Sequence, residues 1–303
     1  MELIRSQDWY QTRAGDPRGY IQPHQLRELW FHTGTACNLS CDFCLEGSGP
    51  GDKRLELITL ADAEPFIEEA LALGVDQFSF TGGEPFVAKQ IVAILQRAAS
   101  HRPCLVLTNG TDALQQRISQ VATLRDCAHP VRFRISIDAP VAEQHDLGRG
   151  TGSFKAAMTG LQALHRLGFE VSVARHMAAD EDSALVEQQY RALFEEWGLP
   201  QELPLVAFPD FLPPGSSADV PDISENCMTQ YQTEQNRLNY MCAFSKMVVK
   251  QNNRMRVYAC TLVDDDSEYD LGGTLYEAME HRVSMKHHRC FSCFRFGASC
   301  SEL

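Results

Sequence analysis

The sequence contains no run of 18 apolar residues, so no membrane-spanning helix is expected. Its first residues, Met1-Glu2-Leu3-Ile4-Arg5, lack a basic region followed by an apolar stretch, and no secretory signal is expected either. Positive charge is scarce. Lys and Arg number 27 against 40 Asp and Glu, for a formal net charge of −13. No basic stripe offsets that balance, so nucleic acid is not an expected partner. With neither export signal nor span, the expected location is the cytoplasm. There, eleven cysteines read as metal ligands in a reducing compartment, not as a disulfide framework. The rest of the composition, 44% hydrophobic and 22% charged over 303 residues, is that of an ordinary globular protein of one or two domains.

Residues 1–27 are polar and turn-rich and form an N-terminal extension with no strong pattern. From residue 28 short β-rich runs alternate with helical patterns. Strands are expected over 28–33, 77–80, 104–107, 132–137, 170–174 and 203–208, and helices near 60–73, 88–100, 112–126, 153–167 and 183–197. Thr59 and Asp62 form a capping-box signature, and Ala63, Phe66, Ile67, Ala70 and Leu71 mark one helix face behind it. Gly74 and Gly168 are expected helix stops. Six βα units in series imply an α/β fold with a parallel sheet and right-handed crossovers. Six are too few to close an eight-stranded barrel, so a partial (β/α)6, TIM-like barrel over 28–210 is expected.

Cysteines concentrate first in Cys37-Asn38-Leu39-Ser40-Cys41-Asp42-Phe43-Cys44, just beyond the first strand. Three thiols spaced C-x3-C-x2-C can converge on one cofactor but cannot close a four-ligand zinc site alone. An iron–sulfur cluster held by three cysteines would keep one iron open to a non-protein ligand. The plain alternative is a zinc knuckle with a distant fourth ligand, or unrelated cysteines. Other strand ends carry Thr81-Gly82-Gly83-Glu84-Pro85, Thr108-Asn109-Gly110, Ser136 with Asp138-Ala139-Pro140, and Arg175-His176. Each could be a plain turn, but together they place polar or glycine-rich chemistry at the rim where α/β folds gather their sites.

A second cysteine-rich region, 211–303, follows a Pro/Gly-rich linker near 209–222. Cys242 and Cys260 flank two β-rich runs separated by Gln251-Asn252-Asn253, which reads as a hairpin bringing the thiols together. A helix over 271–281 leads towards Cys290-Phe291-Ser292-Cys293, read as a C-x2-C loop. These four thiols could enclose a metal, and zinc fits on ligand type alone. Cys227 and Cys300 are possible spare ligands, whereas Cys104 and Cys127 read as structural.

The Cys37, Cys41, Cys44 loop with Phe43 beside its last cysteine, and Gly82-Gly83-Glu84-Pro85 downstream, resemble the radical S-adenosylmethionine (SAM) enzymes. The stretch from Ser136-Ile137-Asp138 through His145-Asp146, Arg149-Gly150 and Gly152-Ser153-Phe154 is similar to the branch with added C-terminal cluster domains. The resemblance implies a 4Fe-4S cluster on Cys37, Cys41 and Cys44, whose open iron is chelated by the methionine end of SAM. One electron from the reduced cluster would split SAM, and the 5′-deoxyadenosyl radical so formed would abstract a substrate hydrogen. Phe43, the Gly82–Pro85 motif and Asn109 are then expected around the cofactor. Ser136 and Asp138 are candidate ribose or carboxylate contacts, and Arg175 a candidate partner of the SAM carboxylate.

The C-terminal region resembles a twitch domain, or a shortened SPASM domain, in which Cys242, Cys260, Cys290 and Cys293 would hold one auxiliary 4Fe-4S cluster. An external electron donor such as flavodoxin or ferredoxin is implied. Since about 36 residues precede Cys37, too few for a usual leader-recognition domain, the expected reaction is a net oxidation of a small molecule. The alternatives are a peptide-modifying maturase and a non-catalytic zinc or electron-carrier protein.

Overall fold

A computed structural model of the chain describes residues 5–301 apart from 179–180, 209–211, 213 and 298–300. The elements run β1 (Tyr20–Ile21), β2 (Glu28–His32), α1 (Leu60–Ala72), β3 (Gln77–Thr81), α2 (Ile91–Ala99) and β4 (Cys104–Thr108). They continue with α3 (Asp112–Gln115), α4 (Ile118–Ala122), β5 (Val131–Ser136), α5 (Ala142–Arg149), α6 (Ser153–Arg166), β6 (Val171–His176), α7 (Ser183–Glu196) and β7 (Leu205–Phe208). Beyond lie α8 (Glu225–Tyr231), α9 (Glu234–Leu238), α10 (Met241–Phe244), β8 (Ser245–Gln251) and β9 (Arg254–Tyr258). The last are α11 (Leu275–Glu280), β10 (Val283–Ser284) and α12 (His288–Phe296).

One eight-stranded sheet organises the molecule, in the order β7-β6-β5-β4-β3-β2-β8-β9. From β7 to β8 every pairing is parallel; only the β8–β9 hairpin is antiparallel. The six expected strands are β2 to β7. The near-continuous apolar runs of β2 to β6, such as Leu29-Trp30-Phe31, are largely buried on both faces as parallel strands should be, whereas β7 at the sheet edge is only half-buried.

The hairpin differs from expectation in its placement. It does not stand apart in the C-terminal region: β8 runs parallel to β2, pairing Glu28 with Ser245 and Phe31 with Val248. Fully buried β2 would otherwise expose a row of unpaired backbone groups on that side. The N-terminal extension is likewise tied to the C-terminal region. β1 pairs with β10, and Trp9 packs edge-on against Tyr269 at 5.0 Å.

Local chemistry explains most helix limits. Thr59 and Asp62 cap α1 reciprocally, and Gly74 and Gly168 take left-handed φ of +83° and +81° just past α1 and α6. The helix expected over 112–126 is broken: Arg117 leaves helical geometry between α3 and α4, and a 3-10 turn, Thr123–Asp126, follows. Cys290 and Cys293 sit on α12 and not on a loop. His287 starts that helix, its Nδ1 accepting the Arg289 N–H at 3.2 Å. The linker near 209–222 falls partly, and Cys300 wholly, outside the described residues.

Candidate active site

The segment after β2 and the segment after β3 run side by side before either becomes a loop. Thr33 N–H donates to Thr81 O at 2.8 Å, Gly83 N–H to Gly34 O at 2.9 Å and Glu84 N–H to Ala36 O at 3.1 Å. This closeness is what requires the glycines. A Cβ on Gly83 would lie 2.5 Å from Ala36 O, and one on Gly82, whose φ is +129°, 2.7 Å from Gly34 O. What they admit is the backbone of the cysteine loop.

Glu84 is held by partners of its own. Its carboxylate is fully buried and accepts from Phe86 N–H at 3.0 Å, Asn109 N–H at 2.8 Å and the Thr108 hydroxyl at 2.9 Å. It therefore bonds β4's end to the Gly82–Pro85 turn and turns away from the cavity wall. Burial raises its pKa against the pull of those bonds. Pro85, also buried, opens the 3-10 turn Pro85–Val87.

Around this scaffold lies a cavity of about 210 Å³ at the C-terminal ends of the strands. Cys37, Cys41, Cys44, Phe43, Gly82, Gly83, Asn109, Ser136, Asp138 and Arg175 all contribute to its wall. Asn109 Nδ2 bonds Asn38 Oδ1 at 3.0 Å and lies 3.8 Å from Cys37 Sγ. Leu39 N–H approaches Cys37 Sγ and Ser48 N–H approaches Cys44 Sγ, each at 3.4 Å, which suits a thiolate. Burial pushes the Cys37 thiol up to about 11 and raises Cys41, although Arg149 opposes the shift at Cys41. Deprotonation there needs a cationic centre.

Among the described residues, no three cysteine sulfurs lie within 4.8 Å of one another. Three thiols converging on one cavity suit a cluster in which each cysteine caps one iron. The donor set fits that group.

Two residues of the wall arrive already paired. Arg175 Nη1 bonds Glu181 at 2.6 Å, so this fork is shared with a carboxylate of its own chain. Asp138 holds Arg149 by two bonds, and the Arg149 guanidinium lies 5.5 Å over the Phe43 ring. Gly148 makes this packing feasible, since a Cβ there would meet Phe43 Cε1 at 2.2 Å. Arg149, a wall residue absent from the sequence-based site, thus locks α5 onto the cysteine loop. His176, also in the wall, faces Phe43 with ring centroids 6.4 Å apart.

Glu46 was not foreseen either. It joins the wall and forms a buried cluster with His32 and Asp264, the one described group of three metal-capable side chains within 4.8 Å. Arg54 already supplies the cation, at 2.7 Å from Asp264 Oδ2 and 3.4 Å from Glu46 Oε2. His32 Nδ1 accepts from Gly34 N–H at 3.2 Å, so Nε2 carries the proton towards Glu46 at 3.0 Å. Burial alone would raise Glu46, yet His32 and Arg54 hold it below its usual range, while burial and Glu46 push Asp264 up. These groups lie far apart in sequence, and only residues 14 apart, His32 and Glu46, gave any proximity to notice.

The C-terminal quartet also assembles. Cys242, Cys260, Cys290 and Cys293 line one small apolar cavity with Tyr240 and Tyr269. Burial pushes Cys242 and Cys290 each up to about 12. Cys227 lies outside that wall, with Sγ 3.3 Å from Ser224 Oγ. Lys246 is buried beside the quartet. Burial lowers it to about 8, against the opposing pull of Cys242 and Cys260.

The family model of the radical SAM superfamily matches residues 31–183, half of the chain. The chain belongs to the radical SAM superfamily, and it is an enzyme with the SAM and 4Fe-4S chemistry that family implies. It is 34% identical over 165 residues to the mycofactocin maturase MftC of Mycobacterium tuberculosis, a stretch covering 52% of this chain and 40% of that one. It is 28% identical over 142 residues to the GTP 3′,8-cyclase of Synechococcus elongatus, covering 46% and 42%. The chain thus aligns with less than half the length of these relatives. In fold it resembles SuiB of Streptococcus suis bound to S-adenosylmethionine, with TM-score 0.59 at 12% identity over 92% of this chain and 69% of that one. It also resembles anSMEcpe with bound AdoMet, with TM-score 0.60 at 17% identity over 87% and 79%. Among the described residues no helix is long and apolar enough to cross a membrane.

Proposed function

We propose that this enzyme is a maturase that modifies a peptide or protein side chain by abstracting a hydrogen, with Cys37, Cys41 and Cys44 holding the SAM-binding 4Fe-4S cluster. When bound, the cluster and SAM supply one-electron cleavage of SAM and a radical that takes the hydrogen. This chain's residues do the positioning. Gly82 and Gly83 clamp the cysteine loop against β3, Asn109 orients Asn38 beside Cys37, and the Asp138–Arg149 pair fixes Phe43 over the cavity. Asp138 and Ser136 line the same cavity and would contact a ribose or carboxylate of SAM, and Arg175, steadied by Glu181, would offer its remaining N–H groups to a carboxylate.

The observation that carries the peptide reading is the match to the mycofactocin maturase. SuiB and anSMEcpe, which share the fold only, have each been captured with a peptide. The sheet supports the same reading. Among the described residues β7 is an edge strand, the kind of element to which an extended peptide can add, and Phe208 at its end lines the cavity. This displaces the small-molecule oxidation expected from the short segment before Cys37. A small-molecule substrate stays the second reading because the chain also matches a GTP 3′,8-cyclase.

The quartet Cys242, Cys260, Cys290 and Cys293 is proposed to hold a second 4Fe-4S cluster that takes or supplies the substrate electron, with a flavodoxin or ferredoxin as external donor. The four thiols line one small cavity, which supports this reading. The deciding experiment incubates reduced, oxygen-free enzyme and SAM with short peptides encoded beside its gene. A peptide that raises 5′-deoxyadenosine release and changes mass supports the proposal. Release raised by small molecules and by no peptide refutes it.

A further inference from the structure

Lys246 is completely buried in β8, where a charged side chain has to justify its place. Its Nζ donates to two carbonyl oxygens, Cys242 O at 2.8 Å and Ser245 O at 2.9 Å. Among the described residues no carboxylate pairs with it. Three other buried cations here lie beside carboxylates. Arg149 has Asp138, Arg175 has Glu181, and Arg289 has Asp265 at 3.9 Å. A lone ammonium in an apolar interior is costly unless a negative charge lies close. The ionisable groups that act on Lys246 are the thiols of Cys242 and Cys260, two of the four that line the small C-terminal cavity.

From this geometry we infer that Lys246 is the internal counter-charge of the C-terminal cysteine quartet, setting the electrostatic potential of the group those thiolates hold. The inference rests on the proposed second cluster. Bonded to Cys242 O, the ammonium sits on the backbone of one ligand, so it acts through position and charge and touches no reacting atom. A cluster gaining one electron gains one negative charge, and a fixed cation nearby favours the reduced form. Removing the cation therefore lowers the reduction potential. It also weakens the assembly of four thiolates in an apolar cavity, since each added negative charge then repels the others unopposed.

The test uses the full chain with Cys37, Cys41 and Cys44 replaced by Ala, so that only the C-terminal group contributes. In this background Lys246→Met and Lys246→Arg are compared after oxygen-free reconstitution, by iron content and an EPR-monitored redox titration. Lys246→Met is expected to keep its iron and shift the midpoint potential downward, and Lys246→Arg to restore it towards the parent. An unchanged midpoint in Lys246→Met, with iron retained, overturns the inference while leaving the second cluster standing. A background protein that binds no iron refutes the second cluster, and the inference falls with it. Should Lys246→Met lose its iron, cobalt(II) titration of the iron-free proteins decides. Weaker thiolate–cobalt binding in Met that Arg restores supports the role, and equal weakening in both variants overturns it.

Discussion

Arg289 Nη2 donates to the carbonyl oxygen of Leu45 at 3.0 Å, tying the helix that carries Cys290 and Cys293 to the residue beside Cys44. The guanidinium is 1% exposed and also donates to Leu262 O at 3.1 Å and to Leu212 O. Two sets of cysteines from opposite ends of the chain thereby hang on one side chain. A planar fork can serve several carbonyls at once, which a lysine cannot.

Replacing Arg289 by Met would leave buried carbonyl groups without donors, at a cost of about 3–5 kcal/mol. The melting temperature should fall, and iron should be lost from both cysteine sets together. Iron assays in chains bearing one intact set at a time check this. Loss confined to the C-terminal set would show that the Leu45 contact carries no strain between the two sites.

Glu84→Gln tests whether the Gly82–Pro85 motif is held from behind. An amide offers one acceptor oxygen where the carboxylate offers two, and its NH2 would face a donor, either Asn109 N–H or Phe86 N–H. A loss of about 2–3 kcal/mol is expected. Because Glu84 N–H anchors Ala36 O, the cysteine loop should loosen, lowering both SAM affinity and iron retention. Oxygen-free melting curves and SAM binding provide the measurement, and parental values for both would contradict the strut.

The strands and most barrel helices were legible because their apolar periodicity and caps are local. Thr59 with Asp62, or Leu29 to Phe31, carries its structure in a few adjacent residues. The pairing of β8 with β2 was not legible, since nothing near residue 245 indicates that its partner lies at residue 28. The cysteine loop and its glycines showed where the site is, but not what the glycines touch. Their tight contacts are with Gly34, Thr35 and Ala36, a tertiary fact. That the Glu84 carboxylate meets β4's end is likewise a tertiary contact, with no local signal in the sequence. Glu46 and Lys246 escaped notice, and Arg149 was seen only as part of a motif, because lone charged residues show no sign of burial until their surroundings are known.

His145 makes the helix region around Asp138 sensitive to acid. Its Nδ1 accepts from Asp138 N–H at 3.2 Å, and its ring meets Phe154 edge-on. Burial and the neighbouring Arg149 push the imidazole down to about 4. In the unfolded chain it titrates near 6.5. Between those values the unfolded chain binds a proton that the folded one refuses. Stability is therefore full above about pH 6.5 and falls as pH drops towards 4, by up to about 3 kcal/mol. His145→Gln keeps an acceptor for Asp138 N–H without a titrating ring. The melting temperature of the parent should drop more than that of the variant between pH 7.5 and pH 5, and parallel drops would exclude His145 as the source.

The two cysteine sets should separate functionally although they share Arg289. Cys37→Ala removes one of three sulfurs around the main cavity, and no other cysteine lines that wall to replace it. SAM cleavage should fall to the level seen without enzyme. Cys242→Ala breaks the quartet while leaving Cys37, Cys41, Cys44 and the Gly82–Pro85 turn in place. Cleavage should persist, lowered by no more than about tenfold, whereas modified product should fall by more than the cleavage does. The measurement is the ratio of 5′-deoxyadenosine to product in single-turnover reactions. A rise in that ratio places the quartet after hydrogen abstraction, handling the electron left on the substrate. An unchanged ratio would assign the quartet a purely structural role, holding α12 and, through Arg289, the loop beside Cys44.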